Sequence, residues 1–159
     1  MRKKTRFLTQ ASLIAALYVV LTLVAAMLGL ASGTIQVRLS EALTVLPALT
    51  PAAIPGVFIG CILGNMLSGG LPWDVVFGSL ASLIGAVGTY LLRGKSKWLY
   101  PIPPILANVL IVPAVLIRVY GVQDAYWFLM VTVGIGEILS AGVLGILLYN
   151  AVGKAKLFR

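Results

Sequence analysis

The chain has 159 residues, 60% of them apolar and only 10% charged, with a mean hydropathy of +1.07. Soluble domains average about 45 to 50% apolar and about 25% charged residues, so an ordinary water-soluble globule is excluded. The net charge of +8 does not describe a nucleic-acid-binding face, because the cations fall in three clumps between apolar runs: Arg2, Lys3, Lys4 and Arg6; Arg93, Lys95 and Lys97; Lys154, Lys156 and Arg159. Integral membrane proteins mark their cytoplasmic loops in this way.

Behind the first basic clump lies an uncharged run of 31 residues, Phe7 to Val37. The core of a secretory signal is roughly 7 to 15 residues long, so 8–30 is expected to remain in the membrane as the first helix. Ala11 and Ala15, flanked by Ser12 and Ala16, place small residues four apart on it. That spacing lets helix backbones approach closely, either within the fold or against an external partner.

The stretch from Ala42 to Gly70 is ambiguous. A single crossing there would leave one of the first two basic clumps outside, whereas the positive-inside rule asks for an even number of crossings between them. Two segments, 40–50 and 52–69, satisfy it, with the break at Pro47, Pro51 and Pro55, since proline removes a helical donor and clashes with the preceding turn. The first of the two is too short, at about 1.5 Å per residue, to span a hydrocarbon core of about 30 Å. Gly56, Gly60, Gly64 and Ser68 on the other repeat the small-residue spacing, as do Gly78, Ser82 and Ala86, and Ala141 with Gly145.

Segments 72–93, 100–119 and 124–152 complete the expectation. The chain reads as an all-α integral membrane protein: one transmembrane domain over 1–159, a six-helix bundle with a short or broken second helix and both termini cytoplasmic.

The inventory restricts the chemistry. With no histidine and one cysteine, histidine-dependent triads, His- or Cys-ligated zinc sites and an internal disulfide are excluded. Gly94-Lys95-Ser96 resembles the end of a phosphate loop, but position 89 is Thr where that motif needs glycine, and a membrane helix precedes it rather than a strand. No catalytic residue, metal or cofactor is expected.

Acid and base chemistry falls to Glu41, Asp74, Asp124 and Glu137. Glu137 lies deep in the last helix with no basic residue near it in sequence, and ionisable groups at membrane depth are costly. Helical spacing puts it on one stripe with Tyr126, Met130, Gly134 and Ala141. A protonated acid tying two helices together is the plainer reading. Asp74 follows Leu71-Pro72-Trp73, where proline and an acid suit a first helical turn. Glu41 is similar and can pair with Arg38 at the surface.

The topology nevertheless gathers Arg38, Glu41, Trp73, Asp74, Gln123, Tyr126 and Trp127 at the outer side, where one cavity could draw on all of them. Asn65 and Asn108 add amides within the membrane. Interfacial aromatics such as these also belt the headgroup region with no ligand at all. Three carboxylates against Arg38 favour a ligand that is cationic or rich in N–H donors, or a carboxyl that keeps its proton.

These residues carry a resemblance. Arg38-Leu39-Ser40-Glu41-Ala42-Leu43, the following Thr44-Val45-Leu46-Pro47, Gly60-Cys61-Ile62-Leu63-Gly64-Asn65 and Leu71-Pro72-Trp73-Asp74 closely resemble the QueT family of substrate-binding S-components of energy-coupling factor (ECF) transporters. The resemblance implies capture of a 7-deazaguanine queuosine precursor, in its aminomethyl form, from outside a bacterial plasma membrane. It implies docking on a transmembrane T subunit and, through it, on two cytoplasmic ATPases, with Ala11 and Ala15 facing the T subunit.

A guanine-like edge offers two adjacent N–H donors to a carboxylate and one acceptor to an amide or arginine. Glu137 is therefore expected to read the edge, Asn65 or Asn108 to meet the carbonyl, and Trp73, Tyr126 or Trp127 to stack. Asp74 or Glu41 would neutralise the amine, with Arg38 holding the first loop. The rivals are a self-sufficient proton-coupled carrier with Glu137 as its relay, a membrane enzyme using paired carboxylates, and a purely structural subunit. No inverted repeat is legible, which disfavours the solo carrier.

Overall fold

The structure is a computed structural model and describes residues 2–30 and 35–155; Lys156 and Arg159 of the last basic clump lie outside the described residues. It contains α1 (Arg2–Met27), a 3₁₀ helix (Leu39–Ala48), α2 (Ala53–Leu67), α3 (Pro72–Leu91), a short 3₁₀ turn (Lys97–Leu99), α4 (Ile102–Arg118), α5 (Tyr126–Glu137), a π-helical stretch (Ile138–Leu144) and α6 (Gly145–Ala155). The last three are continuous, so the final expected helix is one apolar rod from Tyr126 to Ala155. Among the described residues four helices are long and apolar enough to cross a membrane, and Leu39–Ala48 and Ala53–Leu67 are the two shorter apolar ones. The six-helix bundle expected from the sequence is the fold observed.

The short second segment is 3₁₀ rather than α-helical. At about 2.0 Å rise per residue a 3₁₀ helix reaches further than an α-helix of equal length, and Pro47 within it supplies no N–H for an α-helical ladder. Residues Ser40 to Pro47 are all buried, and the segment packs against α1, α3, α6 and the π-helical stretch. A helix apolar on all sides belongs at the centre of a bundle. Leu43 and Leu46 join Ile14 and Tyr18 of α1, Val57 and Cys61 of α2 and Ala86 of α3 in the core.

Small residues set the helix contacts. A Cβ at Gly56 would sit 2.8 Å from the Ala11 carbonyl oxygen, and one at Gly60 would sit 2.6 Å from Cβ of Tyr18. Ala11 and Ala15 are accordingly buried, 9% and 8% exposed, against α2. This corrects the expectation that the pair faces outward: the glycine face of α2 occupies that side of α1. On the opposite side Ser12, Leu13, Ala16, Leu17 and Val20 are exposed. A second close pairing escaped the sequence reading, with Gly85 and Gly88 of α3 against Pro104 and Pro103 of α4.

The outer face of the bundle is apolar, as a lipid-facing surface must be, and exposed Leu, Ile and Val side chains cover it. Trp73 and Trp127, 63% and 69% exposed, lie at one end, and Trp98, 66% exposed, lies at the other beside the basic loop. This is the disposition of two interfacial belts.

Candidate functional site

A cavity of about 450 Å³ opens at the end of the bundle away from the basic loop. The C-terminal part of α1 supplies Tyr18, Thr22, Ala25 and Ala26 to its lining; the approach to the 3₁₀ helix supplies Gln36, Arg38 and Ser40. Asn65 to Gly70 close one side, Asp74 stands at the start of α3, and Leu116, Tyr120 and Val122 complete the rim. Gly69, at φ 85°, lets the chain reverse between α2 and α3 where an L side chain would be strained.

Three polar groups converge around Gly78. From the position where its Cβ would stand, the Asn65 amide nitrogen is 3.1 Å away, Oδ1 of Asp74 is 3.7 Å and a guanidinium nitrogen of Arg38 is 4.0 Å. A residue with a side chain here would push into all three. Burial opposes the charge of Arg38, but attraction to Asp74, the strongest of its charged partners, overrides it and holds the guanidinium protonated. The Tyr120 hydroxyl donates to Oδ2 of Asp74 at 2.8 Å and accepts from the backbone N–H of Leu71 at 3.3 Å. Partial burial and that bond to Asp74 raise the Tyr120 pKa, so the phenol remains a donor at physiological pH. Oδ1 of Asp74 is thereby turned toward Asn65 and Arg38.

Beneath the cavity lies a polar layer in the bundle centre. Glu41 is fully buried. The Tyr18 hydroxyl donates to its Oε1, as does Ser82 Oγ at 2.9 Å, and the Asn108 amide donates to its Oε2 at 3.4 Å. The expectation of a surface pair with Arg38 is therefore corrected: the 3₁₀ helix runs through the core, and Glu41 takes its partners from three neighbouring helices. Cys61, also buried, receives weak bonds from Ser82 and Asn65, each at 3.5 Å.

Glu137, 4% exposed, closes α5 next to this layer, where it interacts with Asn108 and feels the charges of Glu41 and Arg38. Its Oε2 and the Oγ of Ser140 are buried with no hydrogen-bond partner. An unsatisfied buried polar atom costs about 1 to 3 kcal/mol.

The aromatics stand elsewhere. Trp73 stacks on Phe77 and Trp127 meets Phe128 edge to face, both on exposed faces, while the Tyr126 hydroxyl donates to the Leu110 carbonyl at 2.5 Å. None of the three lines the cavity, whose aromatic surface comes from Tyr18 and Tyr120. Gln123 bonds back to the Gly121 carbonyl at 3.0 Å.

Thus Arg38, Asn65 and Asp74 share the cavity, and Glu41, Asn108 and Glu137 share the layer below. Tyr18, Ser82 and Tyr120 were missed. Their signal was faint, a phenol in an otherwise apolar first helix and a serine within a small-residue stripe, and hydroxyls at membrane depth have to find acceptors. Among the described residues no group of three or more acidic or sulfur side chains is placed to hold a metal.

A bundle of membrane-length apolar helices around a polar cavity at one end, with no constellation for bond-breaking chemistry, defines a small multi-pass membrane transport protein. Residues 8–154, nearly the whole chain, match the QueT transporter family, and the chain belongs to that family. The family consists of transporters, not enzymes. No curated protein and no solved structure shows a significant match to the chain.

Proposed function

We propose that the chain is the substrate-capture S-component of an ATP-driven energy-coupling factor transporter in a bacterial plasma membrane, binding a 7-deazaguanine queuosine precursor, in its aminomethyl form, from the outer side. The observation that carries this reading is the convergence of Asp74, Arg38 and Asn65 around Gly78 in one cavity. A guanine-type edge presents N–H donors beside a carbonyl; the carboxylate accepts the former, and the guanidinium and amide donate to the latter. In this reading the edge is read by Asp74 rather than by Glu137, and Tyr18 or Tyr120 takes the stacking role first expected of Trp73, Tyr126 or Trp127. Glu41 holds the site together without touching ligand.

Docking on the T subunit, and through it on two cytoplasmic ATPases, falls to the exposed face of α1. There Ser12 and Ala16 keep the small-residue spacing that Ala11 and Ala15 use inside the fold. The whole chain acts as one transmembrane unit.

Isothermal calorimetry on the purified chain, with the aminomethyl and cyano 7-deazaguanines and riboflavin as control, tests the reading. Selective one-to-one binding of a deazaguanine without ATP or partner is the expected result. A folded chain that binds neither base refutes it. The unpartnered Glu137 oxygen favours one rival, the solo proton-coupled carrier. Uptake into liposomes holding this chain alone would support that rival; its absence, with binding intact, supports capture.

A further inference from the structure

The polar layer contains an unfilled demand for hydrogen. Both oxygens of Glu41 are engaged, by Tyr18 and Ser82 on one and Asn108 on the other. Glu137 Oε2 and Ser140 Oγ have no partner although both side chains are buried. They lie three residues apart where α5 gives way to the π-helical stretch, a departure from α-helical geometry that tends to accompany functional sites. Two orphaned acceptors side by side call for one donor-rich group.

Charge points the same way. Glu41, Asp74 and Glu137 stand in this half of the bundle with Arg38 as their facing cation, and Asp74 is the strongest partner of Arg38. The carboxylate of Glu137 is left undercompensated. The pair also lies close to the cavity. Arg38, which Glu137 feels, lines it, and Gln36, also in the lining, crosses α5 so tightly that a Cβ on Gly136 would collide with the Gln36 backbone.

We propose that Glu137 Oε2 and Ser140 Oγ form an ammonium subsite at the deep end of the ligand site, reached past Gln36, and that this subsite favours a base bearing a primary amine over its neutral analogue. The proposal rests on the substrate reading above and adds to it the residues that choose between precursors. An ammonium carries three donors and no acceptor. One such group satisfies a carboxylate oxygen and a hydroxyl together and supplies the missing positive charge.

The test uses the full chain in lipid nanodiscs, titrated calorimetrically with 7-aminomethyl- and 7-cyano-7-deazaguanine. Wild type is compared with Ser140→Ala and Glu137→Gln, and each variant is also melted without ligand. Ser140→Ala is expected to narrow the aminomethyl-to-cyano affinity ratio by about tenfold, the scale of one lost hydrogen bond to a charged group. Without ligand it should melt no lower than wild type, because it removes an orphan. Glu137→Gln, which keeps the shape, is expected to narrow the ratio further.

If both bases bind and neither variant changes the ratio, the subsite is overturned and the substrate reading stands. If folded wild type binds neither base, the substrate reading falls and takes the subsite with it. If Ser140→Ala melts markedly lower or fails to fold, the hydroxyl serves the fold and the proposal is overturned.

Discussion

At the scale of single residues, two glutamates that look alike in sequence do different work. Glu41 begins a helix in the sequence, where an acid complements the dipole, yet it is fully buried and holds α1, α3 and α4 together through Tyr18, Ser82 and Asn108. Glu41→Ala would strand several buried donors at about 1 to 3 kcal/mol each. A loss of melting temperature large enough to impair folding is expected, read by a detergent thermal-shift assay. Asp74 sits in the cavity with one oxygen held by Tyr120. Asp74→Asn replaces an acceptor with a donor and is expected to abolish measurable deazaguanine binding without lowering stability. Tyr120→Phe frees Asp74 to turn and should weaken binding by about tenfold or less, the scale of one hydrogen bond. Calorimetry on the two variants measures both effects, and unchanged affinity in Asp74→Asn would remove that carboxylate from the site.

At the scale of elements, the contact between α1 and α2 governs the placement of the cavity wall. Gly56, Gly60 and Gly64 let α2 lie against Ala11, Ala15, Tyr18 and Thr22, and Tyr18 and Thr22 line the cavity. Gly60→Val inserts two methyl groups where even a Cβ would meet Tyr18 at 2.6 Å. Overpacking of a tight core costs about 1 to 3 kcal/mol. A lower melting temperature and weakened ligand binding are expected together, because the displaced Tyr18 both donates to Glu41 and faces the cavity. The same substitution at Gly153, where nothing stands within 4 Å, should be silent. The 3₁₀ helix shows why the second segment was hardest to read: apolar on every side and only ten residues long, it gives no amphipathic period from which to take its pitch.

At the scale of the whole molecule, the basic clumps and the cavity stand at opposite ends. Arg93, Lys95 and Lys97 follow the C-terminal end of α3 and Asp74 lies in its first turn, so the positive-inside rule directs the cavity outward. Cysteines placed singly at Ser96 and Gly121 make this measurable in intact cells with a membrane-impermeant maleimide. Gly121→Cys should label and Ser96→Cys should not, while buried Cys61 stays silent; the reverse pattern would invert the protein.

Composition, clump spacing and helix length were enough to settle that this chain lives in a membrane, has six helical segments and breaks near its central prolines. These follow from the cost of placing charge and unpaired backbone in hydrocarbon, a cost each segment bears by itself. The family too was legible, in short motifs around Arg38, Asn65 and Asp74. Tertiary structure alone decided which polar groups meet. The sequence does not reveal that Ala11 and Ala15 turn inward, that Glu41 is a hub, or that Tyr18 and Tyr120 rather than the tryptophans face the cavity. The face a helix presents inside a bundle depends on how all its neighbours pack, and lipid-facing and bundle-facing sides are nearly equal in hydrophobicity. With so weak a periodic signal, shape and hydrogen-bond satisfaction choose the rotation of each helix, and both exist only once the helices have met.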